Sequence, residues 1–135
     1  MNEVIVLDTN ALIRLFKGTA RDLERALMGC VRLVVPLAVY GEFQAGLEHG
    51  AGAVAERALF NELVAMPNTS IHRPSEKTAQ YYAKIVNQLR KQGTPIPTND
   101  VWIAAETMEQ GGTLYSYDRH FGEIPLLDWV LCSEA

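Results

Sequence analysis

The hydrophobic and polar residues of this chain form short blocks that predict an α/β fold. The first block, Val4–Leu7, is apolar, rich in β-branched residues and without alternation of period two. Such a run is typical of a strand buried on both faces in a parallel sheet. It ends abruptly at Asp8, and a helical pattern follows at once, so that Asp8 or Thr9 can cap a helix that Gly18 ends. We therefore expect a strand and a helix joined at a carboxylate.

The rest of the chain repeats this change between short apolar runs and helical periods. Further strands are predicted at Arg32–Val35, Thr69–Ile71, Thr113–Tyr117 and Leu126–Leu131, and helices at Ala20–Met28, Leu37–His49, Ala53–Met66, Glu76–Gln92 and Val101–Gln110. Asp128 would suit the last strand only if that strand lies at an edge. The length of 135 residues suits one domain with one core, over residues 1–135.

Helix ends and helix faces give more specific expectations. In the third predicted helix, the apolar residues at helical spacing should face the core; they are Leu37, Tyr40, Phe43 and Leu47. Ser75 is expected to cap the long helix that Gly93 stops. A loop stiffened by two prolines precedes the Val101 helix, which either Asn99 or Asp100 can cap.

Charge and hydropathy give no sign of a generally basic nucleic-acid-binding protein, a secreted protein or a membrane protein. The formal net charge of −4 gives no general attraction for nucleic acid, so an anionic partner needs a local basic patch or a metal. Arg14, Lys17, Arg21 and Arg25 recur at helical spacing, as either a solvated face or a phosphate-contacting rim. No signal peptide and no membrane-spanning run is evident, so the cytoplasm is the expected location.

The remaining residues with special chemistry suggest structural roles. Cys30 and Cys132 lack the spacing of a zinc site or a disulfide framework, and they are interpreted as small apolar side chains. The histidines lack metal-ligand spacing and are expected at the surface or in turns; they are His49, His72 and His120, of which only His120 is near a candidate site residue. Trp102 and Trp129 are expected to pack in the core or a dimer interface.

Four acidic residues occupy positions that a parallel sheet would bring together. Asp8 and Asp118 each follow an apolar strand, Asp100 opens a helix, and Glu42 lies about one turn into the helix after the second strand. Each has an ordinary explanation alone, as a helix cap or an exposed side chain. With right-handed crossovers, however, strand ends and helix starts share one edge of the sheet, so all four can meet in one cleft.

Such a cluster predicts a metal site. Four carboxylates cannot all ionise at close quarters without a compensating cation. Oxygen ligands without cysteine favour Mg²⁺ or Mn²⁺. The chemistry that such a site does best is phosphodiester hydrolysis.

The motifs around these acids resemble a known family. Near the N-terminus stands V-L-D-T-N, P-T-N-D-V-W-I-A-A surrounds Asp100, and Y-S-Y-D-R-H-F surrounds Asp118, with Glu42 between the first and second. In order and in length, this pattern is similar to the PIN domain, and more narrowly to the VapC type of toxin ribonuclease.

The resemblance implies a three-layer α/β/α fold with a mainly parallel sheet, and a metal-dependent endoribonuclease that acts on RNA. It places Asp8, Glu42, Asp100 and Asp118 in the family's acidic cluster. Four further residues match positions that support that cluster: Thr9, Asn10, Asn99 and Ser116. It also implies a small antitoxin partner that plugs the cleft, and a homodimer.

Three other classes were compared with the same residues. A receiver-type phosphoacceptor needs a lysine after a late strand, where Asp118 stands instead, and a haloacid-dehalogenase-type phosphatase needs a second aspartate where Asn10 stands. A binding module that holds RNA or protein without cleaving it is the alternative that the residues leave open.

Overall fold

The computed structural model describes residues 3–50 and 52–133. The expectation of a single domain over residues 1–135 also covers Met1, Asn2, Ala51, Glu134 and Ala135, which lie outside the described residues. In the described part of the chain, no helix is long and apolar enough to cross a membrane.

The centre of the fold is a parallel sheet of five strands in the order β3-β2-β1-β4-β5. The strands are β1 Val4–Leu7, β2 Arg32–Val35, β3 Thr69–Ile71, β4 Thr113–Ser116 and β5 Trp129–Leu131. β1 lies in the middle, with Ile5 in register with Leu33 of β2 and with Thr113 of β4. All strands therefore end at the same edge of the sheet.

Helices flank this sheet, and the predicted α/β fold with a parallel central sheet is confirmed. They are α1 Thr9–Phe16, α2 Arg21–Met28, α3 Leu37–Leu47, α4 Ala53–Val64, α5 Glu76–Gln92 and α6 Thr98–Glu109, with a short 3₁₀ helix at Arg119–Glu123. Ser75 caps α5 as predicted, and Gly93 ends that helix with a φ of 72°.

The core is organised around β1, as its uninterrupted apolar run predicts. Ile5, Val6 and Leu7 are fully buried, because neighbouring strands and helices cover the middle strand on every side. At Gly112, just before β4, a Cβ atom would lie 2.9 Å from Cγ2 of Val6 and 3.1 Å from the carbonyl oxygen of Val4. Glycine is required there because β1 passes too close for any side chain.

The last strand lies at an edge of the sheet, but it begins at Trp129 and not at Leu126 as predicted, so Asp128 precedes it. Asp128 is exposed just before β5, and its Oδ2 accepts a hydrogen bond of 3.0 Å from Thr113 Oγ1. Trp102 stacks on Tyr82 with ring centroids 4.0 Å apart, and Trp129 contacts Phe121. Both tryptophans thus pack against other rings.

The predicted inward face of α3 is partly wrong. Phe43 and Leu47 are buried and Tyr40 is half-buried, but Leu37 is 46% exposed and Val39 takes an inward position instead. Pro36 occupies the N-cap, so Leu37 lies in the first turn.

The expected surface placement of His72 is also wrong. His72 is only 6% exposed, with Nδ1 at 2.7 Å from Glu106 and Nε2 at 3.0 Å from Glu109. Glu106 is itself buried, and it accepts a hydrogen bond of 2.8 Å from the backbone N–H of Leu37. The Glu106 carboxylate of α6 therefore accepts from a backbone N–H at the start of α3 that has no partner within the helix. Buried His72 holds that carboxylate in place.

Neither Asn99 nor Asp100 caps the helix that follows the proline loop. α6 begins at Thr98, three residues earlier than predicted, with Pro97 at the N-cap. Asn99 and Asp100 therefore lie within the first turn, and both side chains are directed to other partners. Proline is well suited to this end of a helix because its missing N–H would have had no partner there.

Candidate active site

The four candidate acids line a single cleft of about 320 Å³ at the edge where the strands end. The lining consists of Asp8, Thr9, Asn10, Glu42, Asp100, Ile103, Tyr117 and Asp118. Two larger cavities, of about 570 and 440 Å³, lie elsewhere and have mainly apolar linings. The acidic cleft is the candidate site because its residues carry chemistry, although it is not the largest hollow.

Asp8 lies at the bottom of the cleft, between β1 and α1. Its Oδ1 caps α1 by accepting a 2.9 Å hydrogen bond from the N–H of Ala11, and its Oδ2 accepts a 2.5 Å bond from Ser116 Oγ. Ser116 Oγ, which donates to Asp8, also accepts a hydrogen bond of 2.9 Å from the N–H of Asp118. The hydroxyl of Ser116, at the end of β4, therefore connects two of the acids.

The electrostatic environment of Asp8 opposes its ionisation. Burial raises the pKa of the carboxyl group above its ordinary value, the bonds from Ser116 and Ala11 lower it, and the charges of Asp100 and Asp118 raise it again. Burial likewise raises the pKa of Asp100, which His120 lowers and Asp118 raises. A cation in the cleft would stabilise the ionised form of both groups.

The other side of the cleft is organised by a histidine. Nε2 of His120 lies 2.6 Å from Oδ2 of Asp100, and its Nδ1 lies 2.8 Å from Oδ1 of Asp118. The backbone N–H of His120 also donates to Oδ1 of Asp118, at 3.1 Å. His120 thus does lie in a turn, as expected, but its contact with both acids was not foreseen.

Glu42 and Asn99 form a pair at the rim. Nδ2 of Asn99 donates a 2.6 Å hydrogen bond to Oε1 of Glu42 across the gap between α6 and α3. Both side chains are exposed. Asn10 is exposed as well, and within residues 3–50 and 52–133 its side chain has no hydrogen bond to Asp8.

Two polar atoms of the cleft fit an additional occupant. Thr9 Oγ1 and the hydroxyl of Tyr117 are buried, yet they lack a hydrogen-bond partner among the residues that the structure describes. Buried polar atoms without partners are costly, and a bound ion with its water shell would supply partners here. The oxygen-rich lining fits a hard divalent cation in the same way.

The basic residues predicted as a rim lie on α1 and at the start of α2. The guanidinium carbon of Arg14 is 4.2 Å from the ring centroid of Tyr117, which itself lines the cleft. Lys17 and Arg21 are exposed. Sequence reasoning missed Tyr117, although its position between Ser116 and Asp118 was a usable signal.

Comparison with known families assigns the fold. The model of the PIN domain family matches residues 5–127. The chain belongs to the PIN domain family. This PIN domain is 31% identical over 130 residues to "Ribonuclease VapC1" of Haemophilus influenzae strain R2866, covering 93% of this chain and 96% of that protein. The resemblance inferred from the motifs is thereby confirmed.

Solved structures give the same result. The structure of VapBC-1 from nontypeable Haemophilus influenzae is similar with a TM-score of 0.82 and 27% identity, covering 94% of this chain and 96% of that one. DNA-bound VapBC from Salmonella typhimurium has a TM-score of 0.79 at 21% identity, covering 96% and 98% of the two chains, which supports the fold of this PIN domain.

Proposed function

We propose that this PIN domain is a divalent-metal-dependent endoribonuclease, the toxin of a type II toxin–antitoxin pair. The observation that carries the proposal is the convergence of Asp8, Glu42, Asp100 and Asp118 on one cleft. The relatives named Ribonuclease VapC1 support it, since they match over nearly the whole chain.

In this proposal the four acids hold Mg²⁺ or Mn²⁺, with Asp8, Asp100 and Asp118 as ligands and Glu42 as a ligand directly or through water. A divalent cation supplies positive charge for the scissile phosphate and an activated water. Ser116 keeps Asp8 in place through its 2.5 Å hydrogen bond. Thr9, Asn10 and Asn99 support the cluster from the cleft wall and rim.

In the proposed reaction, Glu42 accepts the proton of the attacking water. Asn99 donates to Oε1 of Glu42, which leaves Oε2 to take the proton. In-line attack of this water on phosphorus would break the P–O3′ bond, and the leaving 3′ oxygen would take a proton from solvent, which gives a 5′-phosphate and a 3′-hydroxyl.

RNA would reach the cleft along the basic residues beside it. Arg14, Lys17 and Arg21 are the proposed phosphate contacts, and Arg14 is adjacent to the cleft through Tyr117. Because the chain as a whole carries a net charge of −4, binding at this rim should be local and sensitive to salt.

The proposed partners and setting follow from the family. The VapBC proteins to which this chain is similar include a member of a family of toxin–antitoxin systems, and we propose a small antitoxin partner, a homodimer, and action in the cytoplasm. A single domain over residues 1–135 is part of the same proposal, because the family model matches residues 5–127.

The test is cleavage of a mixed pool of single-stranded and structured RNA by the purified protein, free of any partner. Reactions contain Mg²⁺, Mn²⁺ or EDTA, beside an Asp8→Asn variant and an Asp128→Asn control, whose exposed carboxylate lies away from the cleft lining. We expect metal-dependent cleavage by wild type and by the control, and loss of cleavage in Asp8→Asn. RNA that shifts on a gel but stays intact in every lane would support the binding module instead.

A further inference from the structure

His120 is placed on the acidic cleft by a rigid piece of backbone. It lies in the 3₁₀ helix at Arg119–Glu123, which begins with Asp118 as its capping residue and is anchored by Phe121, only 1% exposed. The imidazole is half-buried, and its two nitrogens face Asp100 and Asp118 respectively. The ring is therefore held between two of the proposed metal ligands, where a side chain on a loose loop would not be.

The distances in this group suit a single ion. One ligand atom each from Asp100, Asp118 and His120 lie within 4.8 Å of one another. Two ligands on opposite sides of an ion with bonds of about 2.1 Å lie about 4.2 Å apart. A small adjustment of these side chains would bring all three onto one cation.

The hydrogen bonding of the ring distinguishes its two nitrogens. Nε2 is buried and lies 2.6 Å from Oδ2 of Asp100, out of line for a directional hydrogen bond, so an ion bound there would take the place of this contact. Nδ1 lies 2.8 Å from Oδ1 of Asp118. A carboxylate beside one ring nitrogen commonly fixes the tautomer of a metal-binding histidine and leaves the lone pair of the other nitrogen for the metal.

We propose that His120 is a further ligand of the divalent ion, through Nε2, and that its imidazole shifts the metal preference of this cleft from Mg²⁺ toward Mn²⁺. Mg²⁺ prefers oxygen ligands, whereas imidazole nitrogen favours the transition ions. The proposal rests on the proposed function, because it concerns the same ion. It adds that a nitrogen ligand stands beside the carboxylates.

The experiment observes the metal directly. Mn²⁺ is added to the full chain, and coupling of the electron spin to directly bound ¹⁴N is measured by pulsed electron paramagnetic resonance. The variants are His120→Asn, His120→Asp and the control His49→Gln, since His49 is exposed just after α3. Affinities for Mn²⁺ and Mg²⁺ are measured on the same samples by calorimetry, without RNA.

We expect nitrogen coupling in wild type and in His49→Gln, and none in His120→Asn. His120→Asp replaces the nitrogen by oxygen, and its preference for Mn²⁺ over Mg²⁺ should fall by about tenfold, the scale on which changes around a metal site act. Bound Mn²⁺ without nitrogen coupling in wild type would overturn the role of His120 and leave the acidic metal site intact. Failure of wild type to bind either ion would refute the metal-dependent function itself.

Discussion

Replacing Asp8 with asparagine or with alanine separates the effect of its charge from that of its hydrogen bonds. The asparagine side chain would keep an oxygen that accepts from the N–H of Ala11 and so caps α1. The substitution would remove the negative charge of a buried carboxyl group, and burial raises the pKa of that group. Each unit of such a pKa shift corresponds to about 1.4 kcal/mol. At pH 7 we therefore expect Asp8→Asn to be unchanged in stability or more stable by up to about 1 kcal/mol.

Alanine should have the opposite effect. Asp8→Ala removes the cap of α1, at about 1 kcal/mol, and leaves the buried Ser116 hydroxyl without its acceptor, at about 1–3 kcal/mol. We expect its free energy of unfolding to fall by about 2–4 kcal/mol, less up to about 1 kcal/mol regained by removal of the charge. Both variants lose cleavage for the same proposed reason, so stability is the property that separates them.

The difference between wild type and Asp8→Asn should depend on pH with a defined sign. Because the pKa of Asp8 is raised in the folded state, ionisation of this group lowers the stability of the fold. The contribution of Asp8 to the stability of wild type is therefore greatest below its unfolded pKa of about 3.9. It loses that stability as pH rises through the folded pKa, and the asparagine variant does not. The gap should therefore open from about pH 4 upward and then become constant.

Urea unfolding followed by far-ultraviolet circular dichroism, with EDTA present, measures these free energies at several pH values. An Asp8→Asn protein as unstable as Asp8→Ala at pH 7 would refute the reasoning, because the charge would then stabilise the fold. A gap between wild type and Asp8→Asn that is independent of pH would refute the assignment of the effect to ionisation of Asp8.

Three further predictions concern other contacts. Glu106→Ala should lower stability to urea by about 2–4 kcal/mol, since Nδ1 of buried His72 and the N–H of Leu37 both lose their acceptor while Glu109 still contacts Nε2, with Glu106→Gln as the milder control; a loss below about 1 kcal/mol would contradict this. Asn99→Leu should slow RNA cleavage by about tenfold at saturating metal, because Glu42 loses its 2.6 Å hydrogen bond, and an unchanged initial rate would show that the bond is dispensable. Gly112→Ala should cost about 1–3 kcal/mol in the same urea assay, since its Cβ would lie 2.9 Å from a core methyl group, and a neutral result would mean that β1 yields easily.

The placement of the acids was predictable because it depends on chain order and on a general rule. Asp8 follows the wholly apolar β1 and Asp118 follows β4, whose middle residues are Leu114 and Tyr115, and the ends of parallel strands share an edge. The motifs around Asp8, Asp100 and Asp118, with Glu42 in order between the first two, indicate the family independently of any geometry. These signals are local in sequence, which is why one chain sufficed to find them.

The contacts of the histidines were not predictable from local patterns. His72 follows β3, and its partner Glu106 lies 34 residues further along the chain, in α6. A glutamate within a helical pattern is usually exposed, and only the packing of α3 against α6 makes burial of this one favourable, since it receives the N–H of Leu37. Leu37 is exposed because α3 begins at that residue.

The hydrogen bond between Asp8 and Ser116 joins residues that are 108 positions apart. During synthesis, therefore, Asp8 leaves the ribosome long before the strand that holds it in place, and Asp118 is made later still. β1 can pair with β2 early, because both are synthesised early. The bottom of the cleft forms only when β4 has been synthesised and has paired with the other side of β1. For a protein that would cut RNA, this order means that a nascent chain bound to the ribosome has no assembled site until the segment with Ser116 and Asp118 has been translated.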